Sequence, residues 1–114
     1  LLHPLTIQQI ENAKDGAIIT SCLILKNESY PAHAYQRNRG FKSVLALRLK
    51  RVPFAMFYQA ERLDTVVMPE VEEINEGFCQ VGAFAETNLK NCYFPKLSLV
   101  GSNAFRKCSI SDLD

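Results

Sequence analysis

One apolar spacing returns along the chain in five copies, and this repetition constrains the fold more than any other feature of the sequence. The clearest copy is Leu63-x-x-Val66-x-Met68. The others are Ile19-x-x-Cys22-x-Ile24, Phe41-x-x-Val44-x-Ala46, Leu89-x-x-Cys92-x-Phe94 and Ile110-x-x-Leu113. They start at residues 19, 41, 63, 89 and 110, so the steps between them are 22, 22, 26 and 21 residues. A period of this length predicts a solenoid, in which each unit forms one coil and stacks on the next.

Each unit also closes in the same way, on a small residue or Met followed by an aromatic ring. The closing pairs are Ala34-Tyr35, Met56-Phe57, Ala83-Phe84 and Ala104-Phe105. The unit that ends at Phe84 is five residues longer than its neighbours, and the extra residues fall at about Glu76 to Gln80. An insertion of this kind in a solenoid predicts a loop on the surface.

The 114 residues are predicted to form a single domain, because the repeats follow one another without a linker. Residues 1–18 are read either as a degenerate repeat or as a short helix over Thr6 to Ala13. In the second case Thr6 caps the helix and Gln9 completes a capping box. Asp15-Gly16 then predicts a turn before the first clear strand. The fifth unit stops at Leu113-Asp114 in the middle of its strand, so we expect the chain to be a piece of a longer array.

Alternation along each strand predicts which side chains face the interior and which face outward. In the third unit Val66 and Met68 face inward, and Thr65 and Val67 face outward. Stacking the units gives a polar outward column of Ser21, Ser43, Thr65, Asn91 and Asp112, and an apolar one of Leu23, Leu45, Val67 and Tyr93. A contiguous exposed apolar strip is typical of a binding surface. Two alternatives stay open: another part of the protein covers the strip, or strand pairing itself favours such residues.

The four cysteines do not form a disulfide framework in this alignment. Cys22 and Cys92 take the inward position of Val66, which predicts buried thiols that act as small apolar side chains. Three strand steps of about 4.8 Å separate them, which is farther than a disulfide spans. Free thiols are therefore expected, although a bridge between Cys79 and Cys108 stays open.

Residues 36–62 are mainly basic and residues 64–86 mainly acidic, yet the net charge of the chain is only +1. A shift of 22 residues places Arg48 beside Glu70, Lys50 beside Glu72 and Arg51 beside Glu73, with Lys26 and Lys96 extending the first row on either side. Exposed pairs of this kind contribute about 0.2–1 kcal/mol each. We therefore interpret the two blocks as rows that set the register between coils, rather than as a nucleic-acid site.

Nothing in the sequence indicates chemistry or membrane insertion. The two histidines, His3 and His33, lie near no Cys or carboxylate in a known pattern, and no Cys-x-x-Cys or glycine-rich phosphate loop occurs. No apolar run approaches the roughly 18 residues that a membrane span requires. The sequence therefore predicts no catalytic residue, no cofactor and no metal site.

The segment Leu89-x-x-Cys92-x-Phe94-Pro95-x-Leu97-x-x-Val100-Gly101, followed by Ala104-Phe105-x-x-Cys108, resembles the BspA-type leucine-rich repeat family. The resemblance extends over residues 19–114. It implies a β-rich, right-handed leucine-rich-repeat solenoid with one short parallel strand per coil and irregular or 3₁₀ turns opposite. It also implies a surface or secreted protein used in interaction or adhesion, without catalytic residues. The compartment stays unknown, and a cytoplasmic location is an open alternative.

These observations predict a non-catalytic module that binds a protein partner through the open face of its parallel sheet. The candidate binding residues are Leu23, Leu45, Val67 and Tyr93, flanked by Lys42, Asp64 and Lys90. The alternative is a structural spacer or stalk, in which the same column packs only against neighbouring repeats of the parent chain.

Overall fold

Parallel strands from successive repeats lie side by side and stack as a solenoid of about four turns. The structure is a computed structural model and describes residues 5–108. The prediction of a β-rich solenoid built from repeats is confirmed. His3 and the predicted fifth unit, with Ile110, Asp112 and Leu113, lie outside the described residues.

The strands of the solenoid form two sheets, in which nearly all neighbouring strands are parallel. The chain begins with helix α1 (Ile7–Asn12) and strand β1 (Ala17–Ile19). The larger sheet has the order β1-β2-β3-β5-β7, with β2 at Cys22–Leu25, β3 at Ser43–Ala46, β5 at Thr65–Val67 and β7 at Asn91–Tyr93. The smaller sheet has the order β4-β6-β8, with β4 at Arg51–Val52, β6 at Glu73–Ile74 and β8 at Leu99–Val100. Only the β1–β2 pair is antiparallel among these strands.

The coils that contain β3, β5 and β7 each carry two parallel strands, so the prediction of one strand per coil is wrong. The second strand is only two residues long, but it pairs in register: Val52 lies beside Ile74, and Ile74 beside Val100. Val52 and Ile74 are fully buried. An apolar side chain in every coil at this position lets a second short ladder form against the same core.

The third side of each coil is a hydrogen-bonded turn, and no 3₁₀ helix occurs within residues 5–108. The closing aromatic residue of one coil donates its backbone N–H to the residue before the closing aromatic of the next coil: Tyr35 N donates to Met56 O at 2.9 Å and Phe57 N to Ala83 O at 2.8 Å. The rings of the closing aromatic residues also stack, with centroids 5.4 Å apart for Phe57 and Phe84 and 5.5 Å apart for Phe84 and Phe105. Each stacked pair adds about 0.5–1.5 kcal/mol beyond simple burial.

The interior is packed with fully buried side chains from all three sides. Among them are Phe41, Val44, Leu49, Val52, Met56, Phe57, Leu63, Val66, Met68, Val71, Ile74, Phe84 and Leu89. The inward positions predicted for the second and third units are confirmed by this burial. The inserted residues form a surface turn as predicted, with Cys79 and Gln80 at its tip in left-handed conformations (φ 54° and 67°). Within this insertion, Phe78 stacks on Phe54 with centroids 4.8 Å apart.

The first unit is shifted by one residue from the predicted alignment. Leu23, not Cys22, lies beside Val44 and faces the interior, where Leu23 is 1% exposed. Ile19 is not the start of this unit, because it belongs to β1 and pairs with Cys22 across a hairpin. The two residues between the strands, Thr20 and Ser21, both have positive φ (47° and 63°), as a type I′ turn requires.

Of the two alternatives for the N-terminal segment, the structure contains the short helix. Thr6 caps α1: its side chain accepts a hydrogen bond from Gln9 N at 3.0 Å, and Gln9 Oε1 accepts one from Thr6 N at 2.9 Å. This reciprocal pair is the capping box that the sequence predicts. A turn with Gly16 at φ 85° then leads into β1, as expected.

Candidate binding surface on the larger sheet

An apolar row crosses the outer face of the larger sheet, one residue from each parallel strand. We call it the outer row; its members are Ile24, Leu45, Val67 and Tyr93, which lie directly beside one another in the ladder. Leu23 was predicted in this row, but the shift of the first unit places it in the interior and puts Ile24 here instead. Leu45, Val67 and Tyr93 lie where the sequence predicts them.

Exposure rises along the outer row from the N-terminal end to the C-terminal end. Ile24 is 0% exposed, Leu45 is 7% exposed and Tyr93 is 56% exposed, with Val67 half-buried between them. The row is therefore covered at one end and open at the other.

The covered end lies beneath residues 5–19, which we call the N-terminal cap. Leu5, Ile10, Ala13 and Ile19 pack against the buried cluster of Cys22, Ile24 and Leu45. Ile10 lies in the second half of α1, and Ala13 is the residue that caps its C-terminal end. One of the alternatives from the sequence therefore holds for this half of the row: another part of the chain covers it.

Asp15 holds the cap to the first coil. Its carboxylate accepts hydrogen bonds from Lys26 N at 2.8 Å, from Asn27 Nδ2 at 3.2 Å and from the Tyr30 hydroxyl. Burial, reinforced by the bond to the Asp15 carboxylate, raises the pKa of Tyr30 to about 12, so the phenol stays a donor at neutral pH. Lys26 adds a further link, because its Nζ donates to Glu11 O at 2.8 Å.

A groove lies beside α1 where the cap ends. It is lined by Ile10, Glu11, Lys26, Leu47 and Arg48, and its volume is about 440 Å³. Leu47 is half-buried and packs against the same cluster as Val67. The open half of the outer row and this groove together form one apolar surface next to the cap.

The polar outward column differs from the prediction of a solvated row. Ser43 and Thr65 are buried, at 7% and 5% exposed, whereas Asn91 is exposed. In the first unit the position belongs to Cys22, because Ser21 lies in the hairpin turn. Strands on both sides flank Ser43 and Thr65, and small hydroxyl side chains between neighbouring strands are readily enclosed.

The predicted flanking residues Lys42, Asp64 and Lys90 form a row just before β3, β5 and β7. Backbone hydrogen bonds keep them in line: Asp64 N donates to Lys42 O at 2.8 Å, and Lys90 N to Asp64 O at 2.9 Å. Both lysines are exposed, and Asp64 is half-buried. Within residues 5–108 the amines of Lys42 and Lys90 form no hydrogen bond or ion pair, whereas Asp64 accepts from the Thr65 hydroxyl at 2.9 Å.

The ion pairs between coils follow the predicted shift in part. Arg51 lies 3.4 Å from Glu73, and Lys96 lies 2.8 Å from Glu70, as predicted. The bond from Lys96 lowers the pKa of Glu70. Arg48 was predicted beside Glu70, but it pairs with Glu28 at 2.8 Å, and Lys96 bonds to the Glu70 carboxylate instead.

Two further contacts have the same spacing and were missed from the sequence. Arg39 pairs with Glu61, and Arg37 Nε donates to Gln59 Oε1 at 2.7 Å. Both follow the shift of 22 residues that places Arg51 beside Glu73. Extending that shift to the closing turns would have found them.

All four cysteines lie within the described residues and all are free, so no bridge joins Cys79 to Cys108 and the prediction of free thiols is confirmed. Their surroundings differ from the prediction. Cys22 lies on the outer face under the cap, whereas Cys92 lies inside and is half-buried. Burial raises the pKa of each of these two thiols to about 11.

Residues 5–108 contain one histidine and no cluster of side chains that could hold a metal ion. The histidine, His33, is exposed, with its ring edge-on to Phe54 at 5.1 Å between centroids. In the same part of the chain no helix is long and apolar enough to cross a membrane. The chain matches no family model, no curated protein and no solved structure.

Proposed function

We propose that this chain is a non-catalytic protein-binding module that uses the open half of the outer row. The observation that carries the proposal is Tyr93, a large aromatic side chain that is 56% exposed in β7, the last described strand of the larger sheet. Tyrosine is enriched among the residues that dominate binding energy, because it buries much apolar area and loses little rotamer freedom. Val67 and Leu47 extend the same apolar surface toward the cap.

The strands present this surface without needing to rearrange. Val67 and Tyr93 lie beside each other in a ladder whose strands are paired over their whole length. A preorganised surface loses less conformational entropy on binding than a loop does. The binding step is therefore the burial of apolar area, at about 25 cal/mol per Å² before the costs of association.

We further propose that the solenoid is a leucine-rich-repeat array of the BspA type, with a right-handed superhelix and a role in interaction or adhesion at a cell surface. The spacing from Leu89 to Cys108 supports this assignment, as do the parallel strand and the closing aromatic residue in each coil. The second strand per coil departs from what the resemblance implies.

A structural spacer or stalk is the second candidate, and one observation favours it. The interior at the C-terminal end is only partly closed: Cys92 and Phe94 are half-buried, whereas Val66 and Met68 in the preceding coil are 0% exposed. Another coil of protein stacked on this end would bury them. In that case the outer row serves packing between repeats rather than recognition.

The two functions separate when Val67 and Tyr93 are both changed to Ser. Affinity purification from the source organism, quantified against wild type, should lose a specific partner with this double variant. Phe78→Ser is the matched control, because Phe78 is 65% exposed but lies on the inserted turn, away from the outer row. Circular dichroism must show that both variants stay folded, and each should lower the urea midpoint only modestly, because Val67 packs against the Ile24 and Leu45 cluster and Phe78 stacks on Phe54. If no bound protein depends on Val67 and Tyr93, or if Phe78→Ser loses the same proteins, the spacer function is favoured.

A further inference from the structure

The outer face of the larger sheet already accepts a helix at one end. In the cap, Ile10 of α1 and Ala13, the residue that caps the C-terminal end of α1, pack against the buried cluster that contains Ile24 and Leu45. The spacing of the rows also suits a helix that runs across the strands. Neighbouring strands are about 4.8 Å apart, and one turn of an α-helix advances about 5.4 Å, so apolar side chains one turn apart meet successive strands.

The open half of this face has an excess of positive charge along its border. The cations are Lys26, Lys42, Arg48, Lys90 and Lys96, and the anions are Glu11, Glu28, Asp64 and Glu70. Five positive charges less four negative charges leave +1. Arg48 and Lys96 are held by Glu28 and Glu70, respectively. The amines of Lys42 and Lys90 have no such partner within residues 5–108.

We infer that the open half of the outer row binds an acidic amphipathic helix of the partner protein. The inference rests on the proposed function and names the partner segment. The apolar face of that helix packs on Leu47, Val67 and Tyr93, beside Ile10 of α1. Its acidic side chains pair with Lys42 and Lys90, whose amines have no partner among residues 5–108. Complementary charge of this kind sets the choice and orientation of a partner more than the total affinity.

Three synthetic peptides test the helix and its charge separately. The first is a stapled helix of about 15 residues with Leu on one face and Glu on both flanks, a length at which helices become stable. The second has the same Leu face with Lys flanks, and the third is an extended peptide of alternating Val and Thr. Binding is measured by fluorescence anisotropy, and the site by amide chemical shifts. We expect the Glu-flanked helix to bind roughly tenfold more tightly than the Lys-flanked helix at low salt, and this ratio to shrink as salt is added.

Charge reversal on the protein supplies the matched control. Lys90→Glu should weaken binding of the Glu-flanked helix by roughly three- to tenfold and strengthen binding of the Lys-flanked helix. Lys107→Glu makes the same charge change on an exposed closing turn and should alter neither. The amide shifts should fall on β5 and β7 and not on β4, β6 or β8.

The inference is overturned if the Lys-flanked helix binds as tightly as the Glu-flanked one, or if Lys90→Glu and Lys107→Glu act alike. It is also overturned if only the extended peptide binds, with shifts confined to the open edge of β7. These outcomes leave the proposed function standing, because a partner lost with the Val67 and Tyr93 variant could present another kind of segment. Conversely, if the double variant of Val67 and Tyr93 retains every partner that the wild type binds, the proposed function is refuted even where the acidic peptide binds.

Discussion

The two ends of the outer row hold the same place in the repeat but different places in the molecule. Ile24 in β2 is 0% exposed, and Tyr93 in β7 is 56% exposed. Both are outward residues of short strands in one parallel sheet, so the strand itself does not explain the difference. The N-terminal cap does, because Ile10 and Ala13 cover Ile24 and nothing in residues 5–108 covers Tyr93.

The interior has the same asymmetry for a different reason. Val66 is 0% exposed, and its neighbour in the ladder, Cys92, is only half-buried. An inward side chain is enclosed by the coils on both of its sides, and β7 has a described neighbour on one side only. Burial in a repeat protein is thus set by what lies next to each coil, as well as by the position in the repeat.

The largest effect should come from placing a charge at each end of the outer row. Ile24→Asp buries a carboxylate without a partner beneath the cap, and we expect a loss of about 4 kcal/mol or more in the free energy of unfolding. Tyr93→Asp leaves its carboxylate in water and should cost less than about 1 kcal/mol. Urea denaturation followed by circular dichroism measures both.

Equal destabilisation by the two substitutions would break the comparison, since it would mean that both ends are covered in solution. A small effect of Ile24→Asp would mean instead that the cap moves away from the sheet at little cost. Leu45 is 7% exposed, so Leu45→Asp should lower the free energy of unfolding nearly as much as Ile24→Asp. This result would show that the cap extends as far as Leu45.

The difference between the ends also explains which parts of the structure could be predicted from the sequence. In the third unit the spacing of Leu63, Val66 and Met68 fits only one alignment with the other repeats. The register predicted from it for Thr65, Val66 and Val67 is confirmed. In β2 all four residues, Cys22–Leu25, are apolar and buried. A strand covered on both faces has no alternation to show which side chains face inward, so the first unit was placed one residue out.

Two local features had no signal strong enough to correct that placement. A type I′ turn usually contains Asn or Gly, and here it is built from Thr20 and Ser21. The strands of the smaller sheet are only two residues long, which is too short for a period to be recognised. The outward position in the strand was therefore predicted correctly for Leu45, Val67 and Tyr93, where one alignment fits, and wrongly for Leu23.

A smaller effect should follow from releasing the cap. Asp15→Ala removes three hydrogen bonds to the first coil and should cost about 1–3 kcal/mol of cap stability. Each 1.4 kcal/mol raises the open population about tenfold, so the Cys22 thiol should react correspondingly faster with a disulfide reagent. Cys79 is exposed in either case and provides the internal reference.

Asp64→Ala is the matched control for this experiment, because it removes a carboxylate from the same sheet face outside the cap. It should leave the reaction rate of Cys22 unchanged. If Asp15→Ala also leaves that rate unchanged, Asp15 does not govern access to the covered end of the row.

The smallest effect should appear as a loss of stability at alkaline pH, and it compares the two buried thiols directly. Burial raises the pKa of Cys22 and of Cys92 from 9.0 to about 11. The unfolded chain therefore releases these protons first, so the stabilising contribution of each thiol is complete below pH 9 and is lost as the pH rises toward 11. Cys22 should account for a fall of about 1 kcal/mol in the free energy of unfolding between pH 8 and pH 10, and the half-buried Cys92 for less, because solvent screens its charge.

Cys22→Ala and Cys92→Ala measure the two contributions separately, since each should remove its own share of the pH dependence in urea titrations. If the two thiols contribute equally to the pH dependence, the interior at β7 excludes water from Cys92 to the same extent as the cap excludes it from Cys22. A share for Cys92 that is close to zero, with a full share for Cys22, would place the Cys92 thiol in contact with solvent. The C-terminal coil would then be open on its inner side as well as on its outer row. Within residues 5–108 β7 has a neighbouring strand, β5, on one side only, so water would reach the thiol from the other side.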